Sequence, residues 1–205
     1  MKRKLKKLVV FVMIAAIAMF VTTMASADDD KTIQGDYAIW GSAASLVAIL
    51  GFNASLQANG GALGPWFEGP NTWSGVLTFN KDGTGSFTGI FRAFSIYSSA
   101  IGAPPDGGSG NLSWGFTYTI DRGNITFTYV KGSFELDWTS GPNAPGKVYA
   151  IITQPWDGVI SSDGKIIALF WGPLILDLTS DKANTSPTGV QSMTQAALQG
   201  FRIEE

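Results

Sequence analysis

The chain has 205 residues, 14 basic against 16 acidic, a formal charge of −2, and neither cysteine nor histidine. Without histidine it lacks the usual zinc and copper ligand, the common general base at neutral pH and every Ser-His or Cys-His nucleophile pair. Without cysteine no disulfide can brace it, so packing and hydrogen bonds must hold the fold.

The N-terminus reads MKRKLKKLVVFVMIAAIAMFVTTMASADDD. Lys2, Arg3, Lys4, Lys6 and Lys7 precede an apolar run from Leu8 to Phe20, and Ala25-Ser26-Ala27 places small residues before Asp28. That is the build of a secretory signal peptide over 1–27, cleaved after Ala27. A membrane anchor is the competing reading. The strictly apolar run falls short of the roughly 20 residues that span a bilayer, and Thr22, Thr23 and Ser26 make its end polar. No membrane span is therefore expected after cleavage, and no cysteine is present to carry a lipid. The lysine-rich signal has a bacterial look, which points to the periplasm or the medium. The sequons at Asn53, Asn111, Asn124 and Asn184 are then chance.

Cleavage would leave 178 residues with nine basic residues against 16 acidic ones, a formal charge of −7. Nucleic acid needs a basic stripe and anionic lipid a basic patch, so both partners are disfavoured. A chain of this size suits one domain. Asp28–Asp30 read as the solvated start of an acidic leader over 28–34, with weak calcium binding as the alternative.

From residue 35 the pattern has a period of two. The first strand is expected near 35–42. Residues 43–72 form a long glycine-rich connection, and within it AASLVAILGF, Ala43 to Phe52, fits a lid helix, a membrane-touching patch or the second half of a long first strand. TFNKDGTGSFTG, Thr78 to Gly89, could be a calcium loop, a phosphate cradle or a hairpin turn. The calcium reading fails because loop position twelve, counted from Asn80, is Phe91 rather than a bidentate Glu. The phosphate reading fails because alternation, not a helix, follows the glycines. Asn80-Lys81-Asp82-Gly83 therefore reads as a type I turn closed by a left-handed glycine.

Strands are expected near 73–80 and 85–97, and a flexible loop over 98–110. In NLSWGFTYTI, Leu112, Trp114, Phe116, Tyr118 and Ile120 share one side of a strand over 111–120. Asp121 to Asn124 is a turn. Further strands fall near 124–131, 133–139, 147–153, 157–161, 165–171 and 174–179, with a Gly/Pro turn at 140–146 and another turn at Ser162-Asp163-Gly164. Eight to ten antiparallel strands joined by short turns curl and close, since closure removes exposed edges. The fold class is thus all-β: a closed antiparallel up-and-down β-barrel over 35–180, with a β-sandwich as the alternative. Residues 181–205 read as a polar C-terminal tail, and 188–200 within it as a short helix or a frayed last strand.

GDYAIWGSAASLVAILGFNASL, WSGVLTFNKDGTGSFTG, WGFTYTIDRGNITFTYVKGSFELDWTSGPNAPGKVYAIIT and WDGVISSDGKIIAL together resemble a group of uncharacterised secreted bacterial proteins. Those carry the same succession of hairpins. The resemblance covers roughly residues 35–170 and implies a lipocalin-like (calycin-like) β-barrel; it implies no activity. A lipocalin proper often has Gly-x-Trp near its first strand, where this chain reads Gly35-Asp36-Tyr37.

Barrels of this size hold one small ligand or are filled by their own side chains. Trp114, Phe116, Tyr118, Phe127, Tyr129, Phe134, Leu136 and Trp138 are expected on one surface, as a pocket wall or as a solid core. The leading expectation is non-catalytic binding of a small apolar or aromatic ligand by Trp66, Trp73, Trp114, Tyr118 and Trp138. Arg92 either meets the ligand's polar end or faces solvent. Glu68, with Trp66, Phe67 and Trp73 around it, could bind sugars or belong to a plug over the barrel mouth. Glu135 and Asp137 could serve a carboxylate hydrolase, although their apolar neighbours claim the core. A filled barrel with an outer binding surface is the second expectation and an enzyme the third. A lipid-spanning outer-membrane barrel is disfavoured by the polar Thr/Ser face. No metal or cofactor is expected. Protein recovered from a secreting bacterial host should have the mass of a chain beginning at Asp28; a mass that includes residues 1–27 would overturn the cleavage reading.

Overall fold

The computed structural model describes residues 33–48, 53–55, 59, 68–95, 106–141, 144–183 and 187–204. Ten strand segments account for most of them: β1 (Gly35–Ala48), β2 (Glu68–Phe79), β3 (Thr84–Ser95), β4 (Asp106–Asp121), β5 (Asn124–Tyr129), β6 (Glu135–Ser140), β7 (Gly146–Ile152), β8 (Trp156–Ile160), β9 (Ile166–Thr179) and β10 (Pro187–Arg202). All pairings are antiparallel.

The ten segments occupy eight strand positions. β5 pairs with the end of β4 and β6 with its beginning, so 124–140 is one interrupted strand beside β4. In the same way β7 and β8 lie end to end along β9, and β5–β8 and β6–β7 join the two interrupted strands. β10 then pairs with both β9 and β1. Each position thus bonds to its sequence neighbours and the last to the first, which is a closed up-and-down β-barrel.

The interruptions have local causes. Between the pairs Phe116↔Tyr129 and Ser113↔Glu135, six steps on one strand face three on β4. The extra residues loop out, and the Gly115 carbonyl accepts from both the Val130 N–H and the Ser133 hydroxyl. Beside the break at 153–155, the Ile175 N–H donates to the Gln154 side chain instead of to a backbone partner. In β9 the buried residues change from Ile167 and Leu169 to Leu174 and Leu176. A bulge at Gly172-Pro173 shifts the alternation by one, between the pairs Ala196↔Trp171 and Thr194↔Leu174.

Several expectations are corrected here. β1 continues to Ala48, so Ala43 to Ala48 are the second half of a long first strand; residues 49–52 lie outside the described set. β2 begins at Glu68 and β4 at Asp106, which shortens both expected loops. The strands expected at 165–171 and 174–179 are one bulged strand. The largest correction concerns the tail: 187–202 is β10, a full strand that closes the barrel. Its inner Ser192, Thr194 and Ala196 are small or polar, and that hid the alternation in the sequence.

The turns follow their chemistry. Gly83 and Gly164 have φ of 78° and 71°, and the preceding Asp82 and Asp163 accept bonds from Thr84 and from Ser161 and Lys165. Arg122 and Gly123 both have positive φ, the signature of a two-residue type I′ hairpin.

The core is the barrel interior. Phe87, Phe116, Phe127, Leu77, Ile125, Ile167 and Leu169 are wholly buried. Glycines on the inner wall make room for these rings: a Cβ at Gly85 would overlap the Phe116 ring, and one at Gly89 would come within 2.6 Å of the Phe87 ring. We therefore expect Gly85→Ala to lower the unfolding free energy by about 1–3 kcal/mol. Gly115→Ala, where the nearest atom to a new Cβ is 3.4 Å away, should stay within about 0.5 kcal/mol. Urea titrations of the two variants check this.

Candidate functional site

The two ends of the barrel differ. The turns β2–β3, β4–β5 and β8–β9 are tight and lie at one end, together with Ile33, the first described residue. The longer connections β1–β2, β3–β4, β6–β7 and β9–β10 lie at the other.

The tight-turn end is sealed. Ile33 is buried there, and Phe79 meets the Tyr37 and Tyr118 rings edge-on at 5.4 and 5.0 Å. The Tyr118 hydroxyl lies 2.8 Å from the Ile33 carbonyl and 2.7 Å from the Asn80 carbonyl, and the Tyr37 hydroxyl donates to the Gly164 carbonyl. Burial raises both phenol pKa values, so both stay protonated donors. Above this seal the middle is packed ring on ring. Phe87 stacks on Trp114, and Phe127 on Trp156, each at 4.1 Å. The Trp114 indole N–H is buried and makes no hydrogen bond among the described residues.

Toward the other end the inner wall changes character. On β10 and β1 to β4 the inward residues there include Ala43, Ser45, Asn71, Ala93, Gly108, Thr194 and Ala196, all small or polar, with Trp73, Phe91 and Trp138 below; on β9 and β7, Leu174, Leu176 and Ile152 keep the wall apolar. A buried polar chain crosses this wall. The Trp73 indole N–H donates to Asn71 Oδ1 at 2.8 Å, Asn71 Nδ2 donates to Ser45 Oγ at 2.9 Å, and Ser45 Oγ shares a hydrogen with Thr194 Oγ1 at 2.9 Å. Asn71 is completely buried, and Ser45 and Thr194 are 4% exposed. Three strands, β10, β1 and β2, hold the chain in register through Ser45↔Thr194 and Ala43↔Asn71.

Of the expected site residues, Trp73, Trp114, Tyr118 and Trp138 all point into the barrel. Trp73 meets Trp114 at 5.2 Å, and Trp138 meets Phe91 at 5.6 Å. Tyr118 belongs to the sealed end instead, bonded to backbone. Arg92 is exposed on the outer face of β3, between the inward Phe91 and Ala93, so it cannot reach a ligand inside. Trp66 lies outside the described residues, as does Phe67; Glu68 opens β2 opposite Ser95. Asn71, Ser45 and Thr194 were missed. Asn71 was legible as an inward residue, two positions from Trp73; the other two sat in segments not read as definite strands.

The outer face has two features. Thr88, Ile90, Asn111, Ser113, Glu135 and Asp137 line a shallow groove of about 490 Å³. Glu135 is bonded to Lys147 at 2.6 Å and to Lys182 at 3.1 Å. Hydrogen bonds from these two lysines hold its carboxyl below the usual range. On the opposite wall, Trp40 and Phe201 stack in the open at 5.2 Å, with Phe170 and Ile203 also exposed. The outer face is thus rich in Thr and Ser on β2 to β5 and carries an apolar patch at Trp40, Phe170 and Phe201, with Gln195 and Gln199 exposed beside it on β10.

No family model matches the chain, and no curated protein matches it. Among solved structures it is similar to the outer membrane phospholipase A from Escherichia coli, at 8% identity and a TM-score of 0.23, over 89% of this chain and 96% of that one. A likeness this slight carries no argument.

A depressed folded-state pKa stabilises above the unfolded value and is lost as pH falls through the folded one. Glu135→Gln should therefore lower the thermal midpoint at neutral pH, and the gap from wild type should close as pH drops below about 4. A gap that stays constant with pH would show that the Glu135 charge does not contribute.

Proposed function

We propose that this is a non-catalytic barrel protein that takes a small apolar or aromatic molecule through the end carrying the long connections. The observation that carries the reading is the change along the inner wall of β10 and β1 to β4, from interlocked rings at the sealed end to small and hydrogen-bonding residues at the other, where Leu174, Leu176 and Ile152 complete an apolar wall. Ligand sites combine apolar walls with a few placed polar groups; here Trp73, Phe91 and Trp138 would be the wall and the Asn71–Ser45–Thr194 chain the polar group. Trp114 and Tyr118 then support the site from within the core, and Arg92 has no part in it. Secretion after Ala27, and membership of the lipocalin-like bacterial group, belong to the same proposal.

A second reading has its own support. The stacked Trp40 and Phe201, with Phe170 and Ile203 also exposed, suit contact with another macromolecule, the barrel then being a scaffold. Carboxylate catalysis has little: Glu135 is held ionised by two lysines, the opposite of what a general acid needs at neutral pH.

Native mass spectrometry of protein from a bacterial secreting host tests the choice. Wild-type protein should release an apolar compound in stoichiometric amount, and Ala196→Phe, which puts a ring into the small-residue end, should release none while remaining folded. If wild type carries nothing and Ala196→Phe is destabilised by about 1–3 kcal/mol through overpacking, the barrel is filled and the outer surface becomes the leading site.

A further inference from the structure

Hydrogen bookkeeping narrows the ligand class. The indole N–H of Trp73 can only donate, so the Asn71 atom it meets is the amide oxygen. The amide NH2 must then face Ser45, which fixes the direction of the chain. Its side chains carry five hydrogens: one on Trp73, two on Asn71, one on Ser45 and one on Thr194. The three bonds use three of them. One amide hydrogen of Asn71 and one hydroxyl hydrogen therefore have no acceptor among the described residues, whichever way the Ser45–Thr194 bond runs. The buried Trp114 N–H, beside Trp73, adds a third. Buried donors are left unmatched less often than acceptors, and each one left so costs its desolvation. The buried side chains of the described strands include no charged residue.

We infer that the inner end of this barrel binds an uncharged molecule that presents a hydrogen-bond acceptor, of the ketone, ester or ether kind, on an apolar body. The acceptor receives the spare hydrogens of Asn71 and of the Ser45–Thr194 pair, and the body packs on Trp73 and Trp138. A carboxylate is disfavoured because no cation would meet it inside. A ligand that only donates finds the chain already rich in donors. This inference rests on the binding reading above and names its ligand class.

Three probes of one shape test it by quenching of tryptophan fluorescence: 2-acetylnaphthalene, its isostere 2-isopropenylnaphthalene, in which CH2 replaces the carbonyl oxygen, and 2-naphthoate. The ketone should bind about tenfold more tightly than the isostere, and the carboxylate more weakly than the ketone. Asn71→Asp supplies oxygens that accept the hydrogens of both Trp73 and Ser45, and should bring the ketone-to-isostere ratio close to one. The wild-type ratio decides even where this variant does not fold. If ketone and isostere bind equally, or the carboxylate binds best, the donor assignment is wrong while the binding reading stands. If no probe binds, both fail.

Discussion

The rest of the structure depends on β10 bonding along both of its edges. Without it β1 and β9 would each present an open edge, and the sheet would have no fixed radius. With it the ring holds eight strand positions, a size at which the interior has room for side chains or for one small ligand among them. That limit governs the inner wall. Where a ring points in, glycine makes room for it, on the neighbouring strand as Gly85 does for Phe116 or two residues along the same strand as Gly89 does for Phe87. Bulk and absence of bulk are matched across and along the strands, so the two must be read as pairs.

Closure also explains why irregularity lies where it does. Residues added to one strand of a closed barrel cannot be absorbed by splaying an edge; they must bulge outward. The loop at 130–134 and the bulge at Gly172-Pro173 both do this. In each case the buried alternation changes parity across the break, from Tyr129 to Phe134 and from Leu169 to Leu174. These breaks keep apolar side chains inward on both sides of a register change.

The meander was legible because each of its hairpins is a local event. Asp82-Gly83, Arg122-Gly123 and Asp163-Gly164 specify turns from neighbouring residues alone, and Leu112 to Tyr118 alternate without interruption. The closing strand was not legible, because what makes it a strand is distant: Ala196 and Thr194 pair with Ala43 and Ser45, some 150 positions away, and carry little hydrophobic signal of their own. The polar chain was hidden for the same reason. Asn71, Ser45 and Thr194 lie on three strands, and nothing local connects them. Arg92 was ambiguous only until Phe91 and Ala93 were both seen to face inward.

The polar chain is hard to account for as a folding device. Three bonds among Trp73, Asn71, Ser45 and Thr194 replace bonds that the same groups made to water, so their net gain is small. The hydrogens they leave unmatched count against the fold. Leucine or valine at 71 and 194, with phenylalanine at 73 and alanine at 45, would fill the same wall with no such penalty, and the ring core below already fixes the register of these strands. The chain also sits at the end away from the tyrosine seal, where its removal would disturb the packed middle least. A group that contributes little to stability, in a wall that could be apolar, is placed as a recognition element would be: held rigid by its own bonds, with its spare donors beside the small inward side chains of Ala43, Ala93 and Ala196.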